Sequence, residues 1–146
     1  MQDDGIPMPR FIANVNNITV TAGRSARLTC KVKDLGNYKV AWVRVDTKSI
    51  LMIHHNIITR NQRISLSHHD HKIWRLHINN VQESDRGWYM CQINTYPMVS
   101  KRGFLEVNGK VFSCSLICIC SCSRTLLLSY LFGKKPHFNA VSFTFP

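Results

Sequence analysis

Histidines and cysteines are the residues of this 146-residue chain whose types and spacing could support metal or thiol chemistry. The histidines include two runs, His54-His55 and His68-His69-Asp70-His71, and imidazole is a common zinc ligand. We place both runs in strand-like segments, where neighbouring side chains point to opposite faces. Adjacent histidines then do not converge on one ion, so the sequence predicts neither a metal site nor a cofactor.

The six cysteines fall into two groups. Cys30 and Cys91 are isolated and far apart, whereas the other four crowd into a short stretch near the end of the chain: Cys114, Cys118, Cys120 and Cys122. The crowded group allows two interpretations, a thiol cluster that binds metal and a stretch with no function. We favour the second.

Catalysis and nucleic-acid binding are both disfavoured by the distribution of charge. None of the eight Asp and Glu residues combines with Ser and His, or with a second carboxylate, in a catalytic arrangement, so we expect no enzyme activity. The formal net charge is +11, yet the basic residues are scattered singly and form neither a run nor one helical face. We therefore expect no nucleic-acid partner, and a basic surface that meets acidic partners or membrane glycans.

The elements that must position these residues are strands. From Phe11 onward, short alternating runs are separated by turn residues, and the spacing of a long amphipathic helix is missing. We predict an all-β fold of about nine strands in which the first two runs, 18–20 and 26–32, form a hairpin-like pair. The other predicted strands are 40–45, 50–54, 56–59, 63–67, 73–78, 88–95 and 102–107.

Three widely spaced features carry a family resemblance: Cys30, Trp42 twelve residues later, and the run Asp85-Arg86-Gly87-Trp88-Tyr89-Met90-Cys91. This spacing resembles that of the immunoglobulin superfamily, variable type. The resemblance implies a sandwich of two packed antiparallel sheets over residues 11–107.

The resemblance also implies roles for particular residues. Cys30 and Cys91 would form a disulfide between the sheets, with Trp42 packed on it and Tyr89 as the tyrosine corner. Asp85 would pair with an arginine at the lower end of the sandwich. The resemblance implies structural roles for all of these residues and for two others. Leu76 would lie in the core, and Arg63 would be the arginine that pairs with Asp85.

More particular stretches narrow the resemblance, among them Val40-Ala41-Trp42-Val43 and Tyr89-Met90-Cys91-Gln92-Ile93-Asn94-Thr95. They are similar to the first immunoglobulin domain of insect lachesin and the Dpr-interacting proteins, neuronal surface molecules related to the vertebrate IgLON group. The resemblance implies an extracellular or plasma-membrane adhesion module that binds another immunoglobulin-superfamily protein, homophilically or heterophilically, in neuronal connectivity. The alternatives are a secreted single-domain decoy and a truncated product without function.

Side-chain alternation predicts the binding face. If Trp42 and Cys91 point inward, the residues next to each of them along its strand point outward. That outward face is unusually apolar. An apolar centre with a polar rim is typical of protein interfaces. The alternative is that the face covers a loop or the protein's own tail. The predicted partner-binding residues are Ala41, Val43, Met52, His54, Ile57, Gln92 and Asn94.

The two ends of the chain differ from the predicted domain. Residues 1–10 show no signal peptide, whereas the triplet Asn17-Ile18-Thr19 predicts a glycan on Asn17. Residues 108–146 form an apolar, Cys-rich tail with no acidic residue. Within it, 111–132 has the length of a membrane span, although Arg124 makes insertion costly. The alternative, which we favour, is aberrant translation beyond Gly109.

Overall fold

The computed structural model describes residue 5 and residues 7–109. This part of the chain contains ten strands and one short 3-10 helix, Glu83–Asp85. The strands are β1 (Arg10–Phe11), β2 (Ile18–Thr21), β3 (Ala26–Lys33), β4 (Val40–Arg44), β5 (Ser49–Ile53), β6 (Asn56–Ile57), β7 (Ile64–His69), β8 (Ile73–Ile78), β9 (Gly87–Ile93) and β10 (Val99–Asn108).

These strands form two sheets, which confirms the predicted all-β sandwich. The four-stranded sheet has the order β1-β3-β8-β7, and the six-stranded sheet has the order β2-β10-β9-β4-β5-β6. Strands β5 and β6 extend the second sheet beyond β4, as two additional strands do in variable-type immunoglobulin domains. The core lies between the sheets and is built from the alternate, inward-pointing side chains of β3, β4, β8 and β9.

The predicted disulfide between Cys30 and Cys91 joins the two sheets. Cys30 lies on β3 and Cys91 on β9, with their Cα atoms 6.2 Å apart. Trp42 is the cross-strand neighbour of Cys91 and is fully buried, as is Leu76. Because the sequence separation of the two cysteines is 61 residues, the chain-entropy model gives the bridge about 4 kcal/mol of stabilisation.

An ion pair closes the lower end of the sandwich, as the sequence predicts. The Arg63 guanidinium donates to both carboxylate oxygens of Asp85, at 2.5 and 2.8 Å. Burial opposes the charge on Asp85, but hydrogen bonds from Arg63 and from the Gln82 backbone N–H outweigh it and lower the pKa of Asp85. The Tyr89 hydroxyl donates to the Asp85 carbonyl at 2.8 Å, and burial raises the pKa of Tyr89 to about 12.

The prediction that the runs 18–20 and 26–32 form a hairpin-like pair is wrong. Strand β2 pairs in parallel with β10, whereas β3 pairs with β8 in the other sheet. The chain changes sheets at Gly23, whose φ of 89° is left-handed and whose N–H donates to the Val81 carbonyl at 2.7 Å. Alternation alone cannot distinguish such a crossover from a hairpin, because both have two apolar runs around a turn.

The predictions for the two ends of the chain lie largely outside the described residues. They concern the segment 1–10, described only at residue 5 and residues 7–10, and the tail, described only at 108–109. The membrane-span interpretation of 111–132 and the thiol cluster both fall in the part that is not described. Within residue 5 and residues 7–109, no helix has the length and apolar character needed to cross a bilayer.

Candidate protein-binding face

One side of the six-stranded sheet faces away from the core and carries apolar side chains at its centre. We call the outward-pointing side of β4, β5 and β9 the outer face. Alternation along β4 buries Trp42 and turns Ala41 and Val43 outward, where both are half-buried. On β9, Met90 and Gln92 lie directly opposite them, since the pairs are Val43 with Met90 and Ala41 with Gln92.

A shallow cavity of about 430 Å³ lies on this outer face. Its floor is aliphatic, and lysine, glutamine and asparagine side chains stand at its rim. Four of the seven predicted partner-binding residues line it, namely Ala41, Val43, Gln92 and Asn94. The complete lining is Lys39, Ala41, Val43, Ile50, Ile53, Gln92, Asn94 and Met98.

Hydrogen bonds fix the polar rim before any partner arrives. The Asn94 side-chain oxygen accepts from the Lys39 backbone N–H at 2.6 Å, and the Asn94 N–H donates to the Lys39 carbonyl at 3.2 Å. The Gln92 amide contacts the Met98 sulfur. Because these side chains are already held in place, a partner has less conformational entropy to overcome on binding.

Met52 and His54 do not belong to the outer face, so the prediction that both point outward with Ala41 and Val43 is wrong. Met52 is 1% exposed and is the cross-strand neighbour of Trp42 inside the core. The register between β4 and β5 shifts after Trp42, which leaves Leu51 as an extra residue and places Leu51 and Met52 both inside. Such a bulge reverses the inward and outward alternation on the rest of the strand.

The same shift affects the two other predicted residues beyond Met52. His54 lies in the turn after β5 and its ring packs 4.8 Å from the ring of Trp74, which belongs to the core. Ile57 is exposed, but it is the cross-strand neighbour of Met52 and not of an outer-face residue. None of the three lines the cavity.

The residues that take their place are Ile50 and Ile53, which sequence reasoning missed. Ile50 pairs with Val43 and Ile53 with Ala41, so both stand beside the residues that were predicted correctly as outward. Ile50 is 46% exposed. The apolar run Ile50-Leu51-Met52-Ile53 has no alternation, and this was the only available sign that the strand is irregular.

The loop between β9 and β10 supplies a further candidate that the sequence prediction omitted. Tyr96 is 99% exposed, and the next residues, Pro97 and Met98, bring the chain back over the cavity. The Thr95 hydroxyl donates to the Pro97 carbonyl at 2.9 Å and holds this loop. Exposed tyrosines are frequent at the energetic centres of protein interfaces.

The sequon residue Asn17 lies at the opposite edge of the same sheet. It is exposed and immediately precedes β2, which is one edge strand of the sheet. The other edge strand is β6, next to the outer-face strand β5. Its side-chain oxygen accepts from the Phe104 backbone N–H at 2.9 Å. A glycan on the Asn17 nitrogen would therefore stand at the edge strand β2, with β10 between it and β9, the first strand that lines the cavity.

Comparison with protein families agrees with this architecture. A profile of the family described as the immunoglobulin I-set domain matches residues 9–102. The chain belongs to this family. The I-set profile covers every strand that builds the outer face, together with the disulfide and the buried tryptophan.

Solved structures and curated proteins related to this I-set domain include complexes of immunoglobulin domains and a cell adhesion molecule. A chain in the crystal structure of Dpr1 IG1 bound to DIP-eta IG1 is 53% identical, with a TM-score of 0.70, and the alignment covers 70% of this chain and 98% of that one. Zwei Ig domain protein zig-8 of Caenorhabditis elegans is 31% identical over 53% of this chain and 29% of its own length. Cell adhesion molecule 2 of Homo sapiens is 29% identical over 64% of this chain and 21% of its own length. The chain thus spans less than a third of either curated relative.

Proposed function

We propose that this I-set domain is a cell-surface recognition module that binds another immunoglobulin domain through its outer face. We further propose that it belongs to the neuronal lachesin and Dpr-interacting group that its sequence resembles, and that it acts outside the cell in adhesion or synapse organisation. The single observation that carries the proposal is the pre-organised aliphatic cavity at the centre of an exposed sheet, lined by Ala41, Val43, Ile50 and Ile53.

The opposite sheet provides an internal comparison. The outward side chains of β3 and β8 are mainly basic or polar, including Arg27, Lys31, Arg75 and His77. A solvated sheet face has this composition. The aliphatic centre is therefore a feature of the outer face and not of the opposite sheet. The outer face has the apolar centre and polar rim typical of protein interfaces.

The relatives support an immunoglobulin domain as the partner. The structure of Dpr1 IG1 bound to DIP-eta IG1 is a complex between two first immunoglobulin domains, one of them 53% identical to this chain. High identity over almost the whole of that chain favours a similar binding mode here. The partner can be a different surface protein or a second copy of this chain, and both belong in the test.

The experiment compares two aspartate substitutions on the two sheets. Val43→Asp places an unpaired charge in the centre of the outer face, and Thr29→Asp places the same charge on the outward side of β3. Both are half-buried surface positions, so both variants are expected to fold. Binding of each to a panel of surface immunoglobulin domains, this chain included, is measured by surface plasmon resonance.

We expect Val43→Asp to lose at least about 2 kcal/mol of binding free energy, roughly a thirtyfold weaker affinity, because the charge is desolvated without a partner. Thr29→Asp should bind like the wild type. Equal binding by both variants, with folding intact, would show that the outer face is not the interface.

A further inference from the structure

Four histidine rings surround the indole of Trp74 at one edge of the sandwich. The ring centroids lie within about 6 Å of that of Trp74, at 4.8 Å for His54, 5.4 Å for His55, 5.2 Å for His68 and 6.1 Å for His71. The four rings also contact one another, since His54 and His55 are 4.1 Å apart and His55 and His68 are 4.5 Å apart. This histidine cluster takes no part in the proposed binding face.

Two hairpin turns from different sheets bring the cluster together. His54 and His55 form the turn between β5 and β6, and His71 lies in the turn between β7 and β8. His54 and His71 both adopt positive φ, 52° and 50°. Non-glycine residues rarely adopt this conformation, and it is enriched at functional sites.

The turn that carries His71 is well defined. The Lys72 N–H donates to the His69 carbonyl at 3.0 Å, and both central residues, Asp70 and His71, have a φ of 50°. This is the pattern of a type I′ turn, which usually contains Asn and Gly. The expectation that neighbouring histidines diverge fails for His54 and His55, because they occupy a turn and not a strand.

The donor atoms are close enough to share one ion. One imidazole nitrogen from each of His54, His55 and His71 lies within 4.8 Å of the other two. Zinc bonds of 2.0–2.1 Å in a tetrahedral site require nitrogens roughly 3.3 Å apart. His55 and His71 are exposed, so small rotations of their side chains can close this gap.

A second observation points to a ligand at the same place. The Nδ1 atom of His54 is buried and has no hydrogen-bond partner within the described part of the chain. Buried polar atoms in folded proteins almost always have a partner.

We propose that His54, His55 and His71 form a binding site for Zn²⁺, or for another divalent transition metal that prefers imidazole. Imidazole nitrogens suit zinc, copper and nickel. The bound ion would connect the β5–β6 turn of one sheet to the β7–β8 turn of the other. It would thus act as a second cross-link between the sheets, next to the end of β5 that contributes Ile53 to the outer face.

The test is zinc binding by the full chain with its disulfide intact. Thiols are first alkylated with iodoacetamide, so that cysteines of the tail cannot bind the metal. Zinc affinity is then measured by isothermal titration calorimetry for the wild type, for the double variant His55→Gln/His71→Asn, and for His69→Gln. Asparagine tolerates the positive φ at position 71. His69 is the matched control, because it lies in the same hairpin but its ring pairs with Asp70, with Nε2 3.2 Å from Oδ2.

We expect the double variant to bind zinc at least about tenfold more weakly, and His69→Gln to bind like the wild type. Zinc should also raise the thermal midpoint of the wild type. The proposal is overturned if the alkylated wild type does not bind zinc, or if all three proteins bind it equally. If the double variant does not fold, NMR of the wild type decides: zinc must shift the ring signals of the four clustered histidines, and shifts confined to other histidines overturn the proposal.

Discussion

At the scale of single residues, the described part of the chain concentrates its buried charge in one place. Asp85 is buried and Arg63 partly so, and the pair also fixes the ends of two segments. Arg63 donates to the carbonyl of Asn80, and the Asp85 carboxylate accepts from the Gln82 N–H. The pair therefore orders the turn that leads into β9, from which Gln92 reaches the outer face.

Replacing Asp85 by asparagine should destabilise the fold in a pH-dependent way. At neutral pH we expect a loss of about 3 to 5 kcal/mol, because the substitution leaves the Arg63 charge without its partner. The pKa of Asp85 is lowered by folding, so its contribution is fully present above the unfolded value and is lost as pH falls through the folded value. The difference between wild type and Asp85→Asn should therefore shrink on acidification.

Urea unfolding at pH 7 and at acidic pH measures this effect. Asp70→Asn is the matched control, since Asp70 is exposed in a turn that asparagine tolerates. Its free energy of unfolding should stay within about 0.5 kcal/mol of the wild type at pH 7. An Asp85→Asn variant as stable as this control would contradict the assigned role.

At the scale of elements, the bulge in β5 decides which side chains reach the outer face. Parity along β4 and β9 could be predicted from the sequence, because Trp42 and Cys91 mark the inner face of each strand. Strand β5 has no such marker in its run of four apolar residues, and the register shift after Trp42 depends on pairing between strands. For that reason the predicted outward orientation agrees with the structure for Val43 and disagrees for Met52, which is buried.

Two substitutions in β5 test this register. Met52→Ala removes a core side chain and should cost about 2 to 5 kcal/mol of stability while leaving the binding surface unchanged. Ile53→Asp should change stability much less and should weaken partner binding as Val43→Asp does. Thermal unfolding and surface plasmon resonance on both variants give the comparison. If Ile53→Asp unfolds the domain and Met52→Ala abolishes binding, the register is the reverse of the one described.

At the scale of the whole molecule, a disulfide between cysteines 61 positions apart joins the two sheets, and Trp42 is buried beside it. The family resemblance carried by Cys30, Trp42 and the run ending at Cys91 implied the sandwich. It could not predict that β2 pairs with β10 in the six-stranded sheet while β3 lies in the other sheet, because parallel pairing of distant strands has no local sequence pattern. The histidine cluster was missed for a related reason, since its members come together only when the two sheets are packed.

Removing the disulfide should cost much of the stability of the domain. For the variant Cys30→Ala/Cys91→Ala we expect a loss of about 4 kcal/mol, against a total of about 5 to 15 kcal/mol for an ordinary domain. Urea unfolding of the oxidised wild type and of the variant measures the difference. A change below about 1 kcal/mol would mean that packing around Trp42 alone holds the sheets together.

Glycosylation at Asn17 should be compatible with binding, because the residue lies at the edge of the sheet away from β5. In a secretory host, we expect the wild type to carry one N-glycan that Thr19→Ala removes, as shown by a mobility shift after glycosidase treatment. Partner affinity should be the same for both proteins. A several-fold gain in affinity on removing the glycan would place the interface near β2 instead.

The most direct test of the central claim is to map the bound surface residue by residue. Amide signals of the isotopically labelled oxidised chain are followed by NMR while a binding immunoglobulin domain is added. We predict that the perturbed signals come from β4, β5, β9 and the loop containing Tyr96, and that those of β3, β7 and β8 stay in place. Perturbations confined to the four-stranded sheet would contradict recognition through the outer face.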